Sequence, residues 1–423
     1  MTDKLALFGG SPIIKFKFNR YNSIGKDEIR AVNKVMKTGV LSDYLGVWGK
    51  NFFGGPKVQQ FENICKKFFK VKHAIAVNSW TSGLTTAVGA IDIEPGDEII
   101  VSPWTMSATA TSILHWNAIP VFADIEPNTF CLDPQSVEKA ITPYTKAIMS
   151  VDIFGQSADM DSLLKIAKRH NLKIISDAAQ SPGSYYKKKY TGTLADIGGF
   201  SFNYHKHINT GEGGILVTNS DKLANRMRLI RNHAEAVVKD KGESNLTNMV
   251  GHNYRMGEIE AAIGIEQLKK LKKIVLKRQK MINKLSKGIN NLKGIQIPQI
   301  RKYCTHSFYS YPILINSKLL KVSRKKICKA LLKEGVPGLG LGYTNLHLLP
   351  MYQKKIAFGS KGFPWTIAHR KISYKKGICP VAERLHDFDL FNVVLCLYEY
   401  GSKEVDGVIK AFNKVWKNLN HLR

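Results

Sequence analysis

Short apolar runs alternate with helix-like segments from about residue 58 to residue 235, and that rhythm limits the fold more than any other feature of the chain. The runs predicted as strands are His73–Val77, Glu98–Val101, Pro120–Phe122, Ala147–Asp152, Lys173–Asp177, Ile197–Phe202 and Gly214–Thr218. Between and after them lie helical patterns at Gly83–Ile91, Ser107–Trp116, Pro134–Ile141, Met160–His170 and Leu223–Arg231. Strand–helix–strand repetition predicts an α/β fold, with a mostly parallel sheet covered by helices on both faces. Turn residues at Glu94-Pro95-Gly96-Asp97 and Glu126-Pro127-Asn128 agree with this punctuation. A long helical pattern then runs from about Gly257 to Leu285. The remainder, from about 290 to 423, mixes short strands such as Phe308–Leu314 with helices at Arg324–Glu334 and Lys403–Leu419, and reads as a smaller α+β domain. The expected division is a large domain with an N-terminal arm over 1–260, then a linking helix and small C-terminal domain over 261–423.

Composition excludes several classes. At 44% hydrophobic and 23% charged, the chain is of ordinary globular rather than disordered make-up. No apolar run reaches membrane-spanning length; Phe391–Leu397 is too short and reads as a buried strand. The stretch Met1 to Pro12 contains Asp3, Gly9 and Gly10 and no long apolar core, so no signal peptide is predicted there. Six cysteines are scattered at 65, 131, 304, 328, 379 and 396, with no zinc or redox spacing. That usage fits a reducing cytoplasm.

The formal net charge is +30, from 63 Lys+Arg against 33 Asp+Glu. The basic residues are spread over Lys66–Lys72, Lys187–Lys189, Lys269–Lys280 and Arg324–Lys333. Many sit above apolar positions at helical spacing, as Lys269, Lys270, Lys272 and Lys273 do above Leu268, Leu271 and Val275, which is the pattern of a solvated helix face. The same excess would attract phosphorylated substrates. No nucleic-acid motif accompanies it, so neither nucleic acid nor membrane is an expected partner.

In open α/β sheets, ligands bind beyond the carboxyl ends of the strands. Three segments fall there. Asn78-Ser79-Trp80-Thr81-Ser82-Gly83 places small hydroxyl residues at a helix start, which suits a phosphate or a plain N-cap. Lys173 to Gln180 delivers Asp177 to the ligand edge, where a carboxylate can hold a protonated pyridine nitrogen or cap a helix. Phe200 to Gly214 carries Lys206 in a polar loop after a strand, clear of the lysine-dense regions; such a lysine can form a Schiff base once it loses its proton. His205 and His207 flank it with the spacing of alternating strand positions. No Cys or third His completes a metal set, so no metal is expected.

In order and spacing, these segments resemble the sugar aminotransferases of the DegT/DnrJ/EryC1/StrS family, which are pyridoxal-phosphate enzymes of fold type I. The resemblance runs from Phe61-Glu62 to at least Leu385. It includes Glu94-Pro95-Gly96-Asp97-Glu98, Asp152-Ile153-Phe154-Gly155-Gln156, Ala158-Asp159-Met160-Asp161, Thr210-Gly211-Glu212-Gly213-Gly214 and Pro380-Val381-Ala382-Glu383-Arg384-Leu385. It implies that Lys206 is the Schiff-base lysine, five residues after Ser201. Asp177 would partner the pyridine nitrogen, Gln180 would lie near the ring hydroxyl, and Thr81, Ser82 and Ser201 would bind the phosphate. Gly251-His252-Asn253-Tyr254-Arg255-Met256 resembles the segment whose Asn reaches the neighbouring subunit's phosphate; Asn253 would then act across a homodimer, or serve as a turn residue.

Two positions depart from the family pattern. Pro103-Trp104-Thr105-Met106 puts Met106 in a slot that is often aromatic, so either Trp104 or Met106 would cover the ring. Pro182 takes a slot that is often His. The implied reaction moves an amino group from an amino acid, by family habit glutamate, to a nucleotide-linked keto sugar. Amination of a cyclitol or carbocyclic keto acid is an alternative. Relatives that dehydrate keto sugars carry His at the position of Lys206, so the lysine favours amino transfer. Tyr343 and His347, in the loop Gly338 to Tyr352, are further candidates for substrate contact.

Overall fold

The computed structural model of the protein describes residues 4–423; the first three residues of the N-terminal stretch, Asp3 among them, lie outside the described residues. Every strand expected over residues 73–218 forms. They are β1 (His73–Val77), β2 (Glu98–Val101), β3 (Ile119–Phe122), β4 (Thr145–Val151), β5 (Lys173–Asp177), then a small ribbon β6 (Tyr185–Tyr186) and β7 (Lys189–Tyr190), and finally β8 (Ile197–Ser201) and β9 (Gly214–Thr218). Seven of them make one sheet in the order β1-β9-β8-β5-β4-β2-β3. The β2–β3, β2–β4, β4–β5 and β5–β8 pairs are parallel, whereas β9 is antiparallel to both β8 and β1. The reversal follows from the connection: only the loop 202–213 joins β8 to β9, without the helix that a parallel return needs.

The helices α1 (Lys26–Met36), α2 (Pro56–Phe69), α3 (Trp80–Ala90), α4 (Ser107–Leu114), α5 (Pro134–Ala140), α6 (Met160–Arg169), α7 (Asp221–Arg231), α8 (Ala234–Lys241) and α9 (Glu258–Ile289) follow. α3 begins three residues before the expected Gly83. Ser79 caps it, its hydroxyl oxygen accepting from the Ser82 N–H at 3.0 Å. α3 is buried almost all round, since it lies against the sheet on one side and against α4 and α7 on the other.

A second sheet of four strands, β10 (Ile295–Gln296), β11 (Tyr311–Ile315), β12 (Leu339–Gly340) and β13 (Leu390–Val393), has the order β10-β11-β13-β12 and is antiparallel throughout. β11 starts three residues later than the pattern Phe308–Leu314 predicts. Phe308 takes a left-handed backbone (φ 54°) that no strand allows, and the chain there turns to dock on the end of β4, Tyr309 N donating to Phe154 O at 2.9 Å. β13 ends at Val393, short of the expected Leu397.

The elements share their cores. Leu5, Ile14 and Phe18 of the N-terminal arm pack into the hydrophobic cluster of the second sheet, so the first and last parts of the chain fold together. α9 spans two cores: Ala261 to Val275 pack with α2 and the large sheet, while Ile282, Leu285 and Ile289 pack with the second sheet. After β12 the chain returns to the large sheet. Arg370 forms an ion pair with Glu98 at 2.6 Å, Tyr374 Oη donates to Pro120 O at 2.7 Å, and Asp124 accepts from the N–H groups of Val381 and Ala382. This return carries Tyr343 to the carboxyl edge of the large sheet.

Candidate active site

At that edge lies a cavity of about 200 Å³. β5 delivers Asp177 to it, β8 delivers Ser201, the loop after β8 delivers Lys206, and the start of α3 delivers Thr81. Gln180 and Met106 also line it, as do Tyr309 and Tyr343 from the second half of the chain.

Lys206 is 8% exposed, and its Nζ makes no hydrogen bond or ion pair among the described residues; it stands 4.6 Å from the centre of the Tyr309 ring. Burial pushes its amine below the usual lysine value, with the Asp177 carboxylate opposing the shift. A shift in that direction favours the neutral amine that a nucleophilic or proton-accepting lysine needs. The loop that holds it is closed on itself. Lys206 N donates to Asn203 O at 2.9 Å, Thr210 N to Phe202 O at 2.9 Å, and Asn203 Nδ2 to Glu212 Oε1 at 2.7 Å. The expected strand-like alternation of His205 and His207 is therefore replaced by a turn. His205 lines the cavity, where burial and the neighbouring Lys206 lower its imidazole to about 4. His207 is buried and bonded to Ser307 O at 2.9 Å. Among the described residues no group of His, Cys, Asp or Glu could hold a metal ion.

Asp177 accepts from three donors: Trp80 Nε1 at 2.7 Å and Ala179 N at 3.2 Å on Oδ1, and Thr109 Oγ1 at 2.7 Å on Oδ2. A carboxylate offers about four acceptor positions, so Asp177 retains capacity for a further donor. The Trp80 indole reaches it over the side-chain-free surface of Gly199. A Cβ on Gly199 would stand 2.3 Å from the indole, and one on Gly214 would stand 2.8 Å from the Trp80 N. Beside Asp177, Asp152 is fully buried, and burial raises its carboxyl to about 7. Gln180 is fixed at both ends, its Oε1 accepting from Phe154 N at 2.8 Å and its Nε2 donating to Tyr343 Oη at 2.7 Å.

Other expected residues stand apart from the cavity. Ser82 is buried beside it, with its hydroxyl donating to Asn78 Oδ1 at 2.7 Å. Trp104 is fully buried against Phe130 and Phe154, while Met106, 61% exposed, is the one at the cavity. Asn253 is exposed and bridges to Asn232, outside the cavity of its own chain. His347 is fully buried, hydrogen-bonded to Glu383 Oε1 at 2.9 Å, and does not line the cavity. The sequence reading missed Trp80, Thr109 and Tyr309. Only the strand register and the return of the second half of the chain bring them to Asp177 and Lys206.

Comparison with known proteins bears on this arrangement. The DegT/DnrJ/EryC1/StrS aminotransferase family matches residues 22–396. The chain belongs to this family. It is 34% identical to the spore coat polysaccharide biosynthesis protein SpsC of Bacillus subtilis, over 88% of this chain and 93% of that one. It is 38% identical to GDP-perosamine synthase of Caulobacter vibrioides, over 70% of this chain and 79% of that one. The solved aminotransferase from Psychrobacter cryohalolentis superposes with a TM-score of 0.81 at 27% identity, covering 96% of this chain and all of that one. The chain is thus a pyridoxal-phosphate-dependent transaminase with the fold type I architecture.

The residues present fit the cofactor of this aminotransferase family. A buried amine without a hydrogen-bond or ion-pair partner among the described residues and a buried carboxylate with spare acceptor capacity share one cavity, next to a capped helix start whose Thr81 remains open to it.

Proposed function

We propose that this aminotransferase moves an amino group from an amino acid, L-glutamate, to a keto sugar carried on a nucleoside diphosphate. The observation that carries the reading is Lys206, whose buried amine has no hydrogen-bond or ion-pair partner among the described residues and lies in the cavity that Asp177 enters. Bound pyridoxal phosphate supplies an electron sink that makes the α-proton of an amino acid labile. The protein's residues do the rest. Lys206 would hold the cofactor covalently and, once released, its Nζ would take the α-proton of the donor. Burial helps by lowering the pKa of that amine. Asp177, oriented by Trp80 and Thr109, would keep the pyridine nitrogen protonated. Gln180, pinned by Phe154 and Tyr343, would steady the ring hydroxyl. Thr81, Ser82 and Ser201 would bind the phosphate, Ser82 through its place in the first turn of α3 rather than through its engaged hydroxyl. Met106, at the cavity, suits ring cover better than the buried Trp104.

The acceptor class is supported by the likeness to a relative named GDP-perosamine synthase and by the surplus of positive charge, which suits a diphosphate. The reading includes a cytoplasmic homodimer, in which the exposed Asn253 of one copy would complete the phosphate site of the other.

The test is spectroscopic and chemical. The holoenzyme should show visible absorbance that bleaches with L-glutamate as 2-oxoglutarate appears, and a nucleotide keto sugar should restore the absorbance and gain an amine. A preparation that takes up pyridoxal phosphate but transfers nothing from any amino acid defeats the transamination. Restoration by a cyclitol ketone, and by no nucleotide sugar, defeats the acceptor class.

A further inference from the structure

α9 has a second groove along it. Its middle turns, the segment Tyr21–Ser23 and the residues Leu395–Tyr400 enclose about 340 Å³, and this groove shares no lining residue with the cavity of Lys206. The volume is within the range of about 300–1,000 Å³ typical of small-molecule sites. Ile274, Ile282 and Leu395 give it an apolar lining, and Tyr21, Tyr398 and Tyr400 add three phenol rings.

Its charge is unbalanced. Four cationic residues line it against one carboxylate, Glu399. Lys270 is paired with Glu28, and Lys277 with Glu399 at 3.1 Å. Lys273 and Arg278 have no carboxylate partner among the described residues. Lys273 is exposed, which costs nothing. Arg278 is different. It is 9% exposed, its guanidinium lies 4.7 Å from the Tyr21 ring centre, and among the described residues its Nη1 has only a long bond of 3.4 Å to Phe308 O and its Nη2 has no hydrogen-bond partner. A buried cation without a counter-ion is unfavourable unless something else supplies the charge. An anion entering beside Lys273 would do so, and phenol rings on the same walls suit a flat aromatic body.

The groove also touches the lysine loop. Tyr21 Oη donates to His207 O at 2.5 Å, one residue from Lys206. We propose that this groove is a second binding site that takes an aromatic phosphate of the nucleotide type and transmits its occupancy to the Lys206 loop through Tyr21. The chemistry is shared by free nucleotides and by nucleotide sugars, so the probe should first be simpler than either.

The experiment uses holoenzyme, whose cofactor phosphate site is already filled. Phenyl phosphate is titrated by calorimetry into wild-type protein and into Lys273→Glu, an exposed change remote from the catalytic cavity. The wild type should bind saturably, Lys273→Glu should bind at least tenfold more weakly, and inorganic phosphate should bind more weakly than phenyl phosphate. Saturating phenyl phosphate should change the rate at which L-glutamate bleaches the wild-type cofactor, and Tyr21→Phe should bind but lose that rate change. UDP and GDP, with and without an attached sugar, then separate the two natural sources by which of them Lys273→Glu weakens. The proposal is overturned by absence of saturable binding, by equal binding to Lys273→Glu, or by a half-reaction rate that ignores saturation.

Discussion

Replacing Trp80 with Phe tests how the carboxylate at the centre of the cavity is held. The change removes the Nε1–H that donates to Asp177 at 2.7 Å inside a buried site. A hydrogen bond to a charged group is worth roughly 1.5–3 kcal/mol. The shorter ring also leaves a void where Gly199 has cleared space for the indole, and a void of methyl size adds about 1 kcal/mol. The expected loss is therefore about 2.5–4 kcal/mol. Urea unfolding followed by circular dichroism reads it, on protein freed of cofactor so that binding does not mask the change. The partner variant Asp177→Asn should lose less when combined with Trp80→Phe than the two single losses sum to, with a coupling of about 0.5–3 kcal/mol. A Trp80→Phe loss below about 0.5 kcal/mol, the level of an ordinary surface change, would refute the idea that this indole positions Asp177.

Other consequences follow from the same geometry. Asp152 has a folded pKa of about 7, above its unfolded value, so its contribution to stability is complete at low pH and is lost as pH rises through about 7. Asp152→Asn should therefore gain stability relative to wild type between pH 6 and pH 8.5, measured by thermal unfolding; a difference that is flat with pH contradicts the shift. Gly214→Ala should cost about 1–3 kcal/mol, because its Cβ would meet backbone atoms of Ser79 and Trp80 at 2.8–2.9 Å. Gly211→Ala, where a Cβ meets nothing within 4 Å, should cost only the strain of its φ of 84°, about 1–2 kcal/mol. Equal effects at the two glycines in unfolding experiments would mean that close packing at β9 is not what requires Gly214.

Much of this arrangement is legible in the chain. β1, β2, β5 and β9 lie where apolar runs between turn residues place them, because fully buried strands of a largely parallel sheet carry apolar residues on both faces. The placement of Asp177 and Lys206 at the cavity is equally legible, since Asp177 ends one strand at the ligand edge and Lys206 follows another. Partners set by register and by distant chain are not. Nothing local says that Trp80 reaches Asp177; that depends on Gly199 lying beneath the indole and Gly214 letting the Trp80 backbone approach β9. Tyr343 and Tyr309 arrive only because the chain after β12 and before β11 folds back on the large sheet. Phe308 fails as a strand residue for a tertiary reason, the docking of residues 307–310 on Phe154 and Gly155. The fate of His205 and His207 was set by the loop's own hydrogen bonds, which overrode an alternation read from spacing alone.

The central claim is that Lys206 is the residue that holds the cofactor. Borohydride reduction of the holoenzyme, followed by digestion and mass spectrometry, tests it directly. The account predicts a pyridoxyl-phosphate adduct on the peptide containing Lys206 and on no other lysine, and no fixed cofactor in Lys206→Ala. An adduct on a different lysine in the wild type, or one that persists in Lys206→Ala, would contradict it.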